Sequence, residues 1–110
     1  RNGRNANAFT AHGQLRLRNA KHAEDPAPIE IGCDCVACVP GERGHFSRAY
    51  LRHLFMADEM LGPMLVTLHN LRHFQRFMAD LRATIALDDW AGFEVRWPVA
   101  ISRVPEKTAE

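Results

Sequence analysis

The chain has 110 residues, of which 46% are hydrophobic and 25% charged, and its formal net charge is +1. This length suffices for one compact unit and falls far short of the roughly 250 residues of a large α/β barrel. Charged residues interrupt every apolar run, which excludes a transmembrane helix, and no segment has the pattern of a signal peptide. The chain begins at Arg1 rather than Met, so we expect a fragment of a longer protein.

The charge is unevenly distributed along the chain. Residues 1–22 contain five basic residues and no acidic one, whereas residues 23–110 contain nine basic and thirteen acidic residues. A basic segment beside acidic surroundings is typical of a zone that contacts phosphate groups. A solvated loop in which arginines cluster would have the same composition, so both interpretations stay open at this point.

The first segment shows a weak alternation of apolar and polar residues. Ala6–Phe9 and Leu15–Leu17 flank His12-Gly13, and alternation around a glycine turn predicts a short antiparallel hairpin. Asn19–Glu24 is long enough for one helical turn, which Asp25-Pro26 would end.

Three cysteines lie within six positions, at Cys33, Cys35 and Cys38. An odd, closely spaced set is a poor disulfide framework and a good set of metal ligands. Structural zinc sites are tetrahedral and use Cys and His donors, so the pattern requires a fourth donor from elsewhere in the chain. An iron–sulfur cluster is the alternative, and three cysteines followed by a later histidine fit zinc better. Residues 25–46 are rich in Pro, Gly and Cys, and we expect a loop organised by the metal.

Two helices are predicted after this loop. Ser47 is a good N-cap, and the apolar residues from Tyr50 to Phe55 recur at helical spacing. Gly62-Pro63 interrupts this helix, since Pro is favoured in the first turn of a new one. The second helix is longer and should pack on the first as an antiparallel or strongly bent pair. It carries an apolar stripe that we assign to the core, formed by Leu61, Leu65, Leu68, Leu71, Phe74, Met78, Leu81 and Ile85.

The helical periodicity is lost after Leu87. Trp90–Glu110 contains Pro98 and Pro105, and we expect a tail without a clear element, apart from a short strand at Val95–Ile101.

The candidates for the fourth zinc ligand are His45, His53, His69 and His73. His45 is nearest to the cysteines but lies in the Gly-rich loop. His69 and His73 are one turn apart on the long helix, where a rigid backbone can direct an imidazole towards the cysteines. A site with four protein ligands leaves no open position for substrate, so we expect a structural zinc ion.

Several motifs occur in the order found in one known family. They are Arg1-Asn-Gly-Arg4, Ala8-Phe-Thr10, Leu17-Arg-Asn-Ala-Lys21, Cys33-Asp-Cys-Val-Ala-Cys38, Ser47-Arg-Ala-Tyr-Leu-Arg-His-Leu54 and His69-Asn-Leu71. Over residues 1 to about 87, the chain resembles the C-terminal part of bacterial tRNA-guanine transglycosylases, the queuine tRNA-ribosyltransferases. The cysteine motif together with Ser-Arg-Ala-Tyr is highly specific for this family.

The resemblance implies an α+β, mainly helical zinc-binding subdomain at the C-terminal end of a (β/α)8 TIM-barrel enzyme. Residues 1–24 would form a basic loop and short hairpin at the end of the barrel. Residues 25–62 would be the zinc-binding subdomain with its first helix, residues 63–87 the long closing helix, and residues 88–110 a divergent tail. The ligands of the zinc ion would be Cys33, Cys35, Cys38 and His69.

Members of this family exchange guanine at the wobble position of tRNA for a 7-deazaguanine precursor of queuosine, by a double displacement that uses two aspartates. The resemblance places the nucleophilic Asp upstream of residue 1. No aspartate of this chain matches a catalytic position, so we predict that the chain alone is inactive; its aspartates are Asp25, Asp34, Asp58, Asp80, Asp88 and Asp89.

The resemblance also identifies partners. Arg1 and Arg4 match arginines that the family places against the anticodon loop of tRNA, and a guanidinium can bind phosphate or a base edge bidentately. It further implies one structural zinc ion, a homodimer formed through the zinc subdomain, a cytoplasmic location and no membrane association.

Two departures from the family pattern stand out. Val39–Phe46 is longer than the usual connection after the third cysteine, and we expect the extra residues to bulge outward and to disturb the dimer contacts. The tail after Leu87 does not follow the family pattern. Two alternatives therefore stay open, a stand-alone zinc RNA-binding module without catalysis and a scaffold subunit that pairs with a catalytic one.

Overall fold

The computed structural model describes residues 2–39 and 44–98. In chain order, the elements within these ranges are strands β1 (Asn7–Thr10) and β2 (Gly13–Arg16), a 3-10 helix (Ala20–His22), and helices α1 (Arg48–Met56), α2 (Leu61–Leu87) and α3 (Trp90–Arg96). The described part of the chain is an α+β fold in which helices predominate. This agrees with the α+β, mainly helical class predicted from the sequence.

Strands β1 and β2 form the predicted antiparallel hairpin. Asn7 pairs with Arg16 at its open end, and Thr10 pairs with Gly13 at the turn. Gly13 adopts a φ of 139°, which favours glycine. The Thr10 hydroxyl donates to the Gly13 carbonyl at 2.8 Å, so the glycine turn indicated by the sequence is confirmed.

The hydrophobic core lies between the hairpin, the cysteine loop and the facing sides of α1 and α2. The hairpin obeys the period of two, because Leu15 and Leu17 are buried while Arg16 and Arg18 are exposed. The residues that form the core are Ala6, Ala8, Leu15, Leu17, Ile29, Cys33, Cys35, Ala37, Cys38, Leu51, Leu54, Phe55, Leu65 and Val66.

The two long helices begin close to the predicted signals. The Ser47 hydroxyl accepts a hydrogen bond from the Tyr50 amide at 3.0 Å, which confirms Ser47 as the N-cap of α1. Helix α2 begins at Leu61, two residues before Pro63, and packs against α1. A Cβ atom at Gly62 would lie 3.2 Å from that of Leu54, so a glycine here allows the close approach of the two helices.

The apolar stripe of α2 contributes less to the core than predicted. Leu65 is 4% exposed, but Leu71 is 57% and Ile85 63% exposed. The assignment of the stripe to the core is therefore wrong for most of its members in this chain; the exposed ones are Leu61, Leu68, Leu71, Phe74, Met78 and Ile85. Instead, α2 directs Val66, His69, Asn70 and His73 towards the rest of the molecule. Leu65 lies in the core and Phe74 contacts Phe9, with ring centroids 5.3 Å apart, but the described residues leave most of the stripe exposed.

A helix occupies the first part of the predicted tail. Asp89 caps α3 by accepting from the Gly92 amide at 3.2 Å, and Phe93 packs on Phe77 with ring centroids 5.7 Å apart. The expectation of no clear element is wrong here, and the short strand at Val95–Ile101 is wrong at Val95, which lies in α3. Contacts with α2 stabilise a helix too short for its periodicity to be visible, and residues 99–110 lie outside the described residues.

Candidate metal centre

Four potential metal ligands converge at the centre of the molecule. The Sγ atoms of Cys33, Cys35 and Cys38 lie 3.6, 3.4 and 3.4 Å from Nδ1 of His69. All four side chains are buried, and their ligand atoms lie within 4.8 Å of one another. The rigid helix α2 thus brings a histidine to three thiols that are more than thirty positions away in the chain.

These distances fit a tetrahedral ion. Bond lengths of about 2.3 Å from zinc to sulfur and about 2.0 Å from zinc to nitrogen, at tetrahedral angles, separate the two ligand atoms by about 3.5 Å. The three distances from sulfur to nitrogen lie within 0.1 Å or so of this value. The donor set and its spacing both suit zinc.

The other candidate histidines lie away from the thiols. Nε2 of His45 is 2.7 Å from the Pro26 carbonyl oxygen and is hydrogen-bonded there. His53 is exposed and stacks on Tyr50, with ring centroids 6.5 Å apart. His73 is buried, but its ring centroid lies 6.3 Å from that of His69 and its Nδ1 has no partner within the described residues. Among the four histidines that the sequence offered, the structure places His69 at the cysteines.

A compact turn orients the three thiols. The Cys35 amide lies 3.5 Å from Sγ of Cys33 and donates to it, and the Cys38 and Val39 amides both donate to the Cys35 carbonyl, at 3.1 and 2.9 Å. Peptide N–H groups that point at sulfur stabilise its negative charge. The short spacing of the motif therefore produces both the thiol cluster and a peptide N–H that donates to one of its sulfur atoms.

The environment acts differently on the three thiols. Hydrogen bonds from Cys38 and His69 lower the pKa of Cys35 to about 4, in spite of burial. Burial raises the pKa of Cys33, and the hydrogen bond to Cys35 raises that of Cys38. The Cys35 thiolate therefore forms readily, whereas the thiols of Cys33 and Cys38 ionise when a cation compensates their charge. Metal binding should consequently release protons and become weaker in acid.

An ion pair connects the cysteine loop to α2. Arg72 donates to both carboxylate oxygens of Asp34, at 2.7 and 3.0 Å, and this pairing lowers the pKa of Asp34. Asp34 lies between Cys33 and Cys35, and Arg72 lies one turn after His69. The bidentate pair thus holds the thiols and the histidine in register.

The second ring nitrogen of His69 anchors strand β1. Nε2 lies 2.7 Å from the Phe9 carbonyl and donates to it, which leaves Nδ1 free to face the thiols. The neighbouring Asn70 accepts from the Phe9 amide and donates to the Asn7 carbonyl, both at 2.9 Å. Asn70 thereby pairs with the open edge of β1 as a strand would. Asn70 lies in the His69-Asn-Leu71 motif, but its role was not predicted from the sequence; its position next to a candidate ligand was the available signal.

Arg48 fixes the start of the cysteine loop, a role that the sequence analysis also missed. Its guanidinium donates to the carbonyls of Pro28 and Ile29, both at 2.9 Å, and to the Asp25 carboxylate at 3.3 Å. A guanidinium can satisfy such a set because it carries five donors in a planar fork. The Arg of Ser-Arg-Ala-Tyr is therefore part of the support of the site.

Two predicted features are described only in part. Arg4 is exposed, and Arg1 lies outside the described residues. Of the longer connection Val39–Phe46, residues 40–43 also lie outside them, so the outward bulge stays a prediction. Its last residue is anchored, because the Phe46 amide donates to the Ala37 carbonyl at 3.0 Å.

Comparison with known proteins resolves the family. The family model described as queuine tRNA-ribosyltransferase matches residues 1–100. The chain belongs to the queuine tRNA-ribosyltransferase family. Curated queuine tRNA-ribosyltransferases of Jannaschia sp. (strain CCS1) and Stenotrophomonas maltophilia (strain K279a) are 46% and 50% identical to it, over 88% and 84% of this chain. That of Gluconacetobacter diazotrophicus is 48% identical over 88% of the chain.

The alignment covers a limited part of these queuine tRNA-ribosyltransferases. The chain spans about a quarter of the length of the curated relatives it matches, 24% for the Jannaschia protein and 25% for the Gluconacetobacter protein. In the described part of the chain, no helix combines the length and the apolarity that a membrane span requires.

Proposed function

We propose that this chain forms the C-terminal part of a queuine tRNA-ribosyltransferase, where it supplies a structural zinc site and contacts to the anticodon loop. The observation that carries the proposal is the buried group of Cys33, Cys35, Cys38 and His69, in a chain that belongs to this family. The named relatives favour this function over a stand-alone RNA-binding module or a scaffold subunit.

The role of the zinc ion is structural. Cys33, Cys35, Cys38 and His69 would hold one ion, and four protein ligands leave no position for water or substrate. Binding would contribute folding free energy on the order of 10–16 kcal/mol, as in zinc-finger peptides. The chain's own residues then keep β1, the cysteine loop and α2 together, through the Asn70 and Arg72 contacts.

Catalysis requires another part of the enzyme. Asp25, Asp34 and Asp80 pair with arginines at 3.3, 2.7 and 2.7 Å, which suits structural carboxylates rather than a nucleophile. The two aspartates of the double displacement then lie upstream, in a TIM barrel that would cover the apolar stripe of α2. Such an enzyme is a pentosyltransferase, which replaces guanine at the tRNA wobble position by a 7-deazaguanine.

The remaining assignments concern partners and location. Arg1 and Arg4 would contact the anticodon loop, and the enzyme would act in the cytoplasm, where tRNA is found and where thiols stay reduced. A homodimer would form through the zinc subdomain. Its support is a row of aromatic rings, Phe46, Tyr50 and His53, with centroids 5.9 and 6.5 Å apart and with Tyr50 42% exposed.

A chimera tests the proposal. The chain replaces the matching segment of the Jannaschia queuine tRNA-ribosyltransferase, and incorporation of labelled guanine into tRNA is measured. We expect exchange by the chimera and none by the chain alone, because the chain lacks the attacking carboxylate. A chimera carrying Cys35→Ser should lose zinc and activity together. A folded, zinc-loaded chimera without exchange would contradict the proposed function, and exchange by the chain alone would contradict the upstream position of the nucleophile.

A further inference from the structure

One face of the hairpin is polar and basic at its open end. Asn7 and Arg16 are cross-strand partners, so their side chains project from the same face. Asn5 lies in the turn before β1 and Arg18 in the turn after β2, and the side chains of Asn5, Arg16 and Arg18 are exposed. The opposite face, with Ala6, Ala8, Leu15 and Leu17, is buried in the core.

A groove runs along this polar face. It has a volume of about 470 Å³ and is lined by Asn5, Asn7, Arg16, Arg18 and Asn19; we call it the hairpin groove. Of the described residues in its lining, Arg18 contributes a guanidinium group, and Asn5, Asn7 and Asn19 contribute amides. Within the described part of the chain, the amides of Asn5 and Asn7 make no side-chain hydrogen bond, and they are available to a ligand.

Neighbouring residues hold one of the two arginines in position. The guanidinium carbon of Arg18 lies 5.6 Å from the centre of the Phe55 ring, a cation–π contact. The Arg18 carbonyl accepts from Nε of Arg52 at 3.3 Å. An arginine that is already ordered loses less conformational entropy when it binds an anion.

A second groove provides a contrast. It lies between α2, α3 and the cysteine loop, and its lining includes Glu30 and Asp80. Two of its arginines, Arg72 and Arg96, are paired with carboxylates at 2.7 Å. Its positive charge is therefore largely compensated within the protein, whereas Arg18 of the hairpin groove forms no ion pair with any carboxylate of the described residues.

We propose that the hairpin groove binds the sugar–phosphate backbone of tRNA. This inference rests on the proposed function and extends the RNA contact beyond Arg1 and Arg4. Arginine and asparagine side chains commonly donate to phosphate and sugar oxygens, and such contacts orient the nucleic acid without reading its sequence. A protein partner would require apolar or aromatic residues at the centre of its contact surface, and the described lining of the groove contains none.

Equilibrium binding of the zinc-loaded chain to an anticodon stem-loop RNA tests this inference over a range of KCl concentrations. Arg18→Gln should weaken binding roughly threefold at 0.1 M salt and reduce the slope of log K against log salt by about one. Asn5→Asp, at an exposed position, should weaken it more, about tenfold, because it places a carboxylate beside the phosphates. Arg76→Gln, in the second groove, is the matched control and should leave the affinity unchanged. Thermal melts and zinc content verify that each variant is folded.

Three results would overturn the inference. The first is that Arg18→Gln and Asn5→Asp leave both the affinity and the salt slope unchanged, or that only Arg76→Gln lowers them. The second is equal binding of polyglutamate at the same salt concentration, which would identify the face as a site for acidic proteins. The third is failure of the folded chain to bind the RNA at all. Guanine exchange by the chimera is measured separately, so the proposed function can be confirmed even if the hairpin groove is found not to bind RNA.

Discussion

His69 uses both ring nitrogens, one towards the thiols and one towards the Phe9 carbonyl. His69→Ala should therefore lose most of the bound zinc and destabilise the molecule by several kcal/mol. His45→Ala removes one exposed hydrogen bond to Pro26 and should cost less than about 1 kcal/mol. Elemental analysis of both variants, with thermal melts before and after chelation, measures these effects. Full zinc in His69→Ala together with zinc loss in His45→Ala would reverse the ligand assignment.

His22 makes stability depend on pH. Its side chain is buried, Nδ1 lies 3.6 Å from the Asp25 carboxylate, and Nε2 has no partner within the described residues. Burial, and then the charge of Arg48, lower the pKa of His22 below 6.5. The unfolded chain thus binds this proton more readily than the folded chain. The contribution to stability is complete above about pH 6.5 and is lost as the pH falls towards the folded pKa.

Urea unfolding of the zinc-loaded chain from about pH 7.5 to 5 checks this dependence. The free energy of unfolding should decrease with falling pH more steeply in the wild type than in His22→Gln, which has no proton to gain. Acid also weakens metal binding, but it does so in both proteins, so the difference between the two curves isolates His22. Parallel curves would show that His22 does not contribute.

At the scale of elements, Asn70 joins α2 to the edge of β1. Asn70→Ala would leave the Phe9 amide and the Asn7 carbonyl without their partners, and we expect a loss of about 1–3 kcal/mol in the free energy of unfolding. Zinc content should be unchanged, because the four ligands remain. Gln75→Ala, at an exposed position of α2, is the control. A stability equal to that of the control, measured by thermal melts, would show that the pairing contributes nothing.

The elements that the sequence predicts well are those with local signals. The Gly13 turn and the Ser47 cap are encoded within a few residues, as is the cysteine cluster. Helix α3 escaped prediction because it has seven residues and depends on Asp80, which receives hydrogen bonds from Arg96 and Trp97. The choice of His69 among four histidines depends on how α2 is rotated against the hairpin, and no spacing in the sequence encodes that rotation. The choice of His69 came from the family resemblance.

At the scale of the whole molecule, α2 carries an exposed apolar face. Periodicity correctly identified an apolar face on α2, but it does not state what covers that face. Met78 is 45% and Leu68 46% exposed, on a stripe that runs from Leu61 to Ile85. Exposed apolar patches of this kind are typical of surfaces that bind another protein unit. In the proposed enzyme that unit is the barrel.

The chain on its own should therefore self-associate through the stripe. Met78→Lys places a charge in the middle of the stripe and should shift the chain towards the monomer at a given concentration. Sedimentation velocity over a series of concentrations measures the shift. Gln75→Lys, on the same helix, adds the same charge at a polar position and should change association little. Equal effects of the two variants would attribute the change to net charge rather than to the stripe.

The contact between His69 and Phe9 also limits which ligand types the metal site can accept. Structural zinc sites are formed by four cysteines as well as by three cysteines and one histidine, so metal chemistry alone would accept a thiol at position 69. A sulfur atom, however, cannot coordinate zinc and also donate to a carbonyl on the opposite side, as the imidazole does at 2.7 Å. Replacement of His69 by Cys would supply a fourth thiolate but remove the hydrogen bond to the Phe9 carbonyl of strand β1. The nature of the fourth ligand is thus determined by the backbone of the hairpin as much as by the preference of the ion.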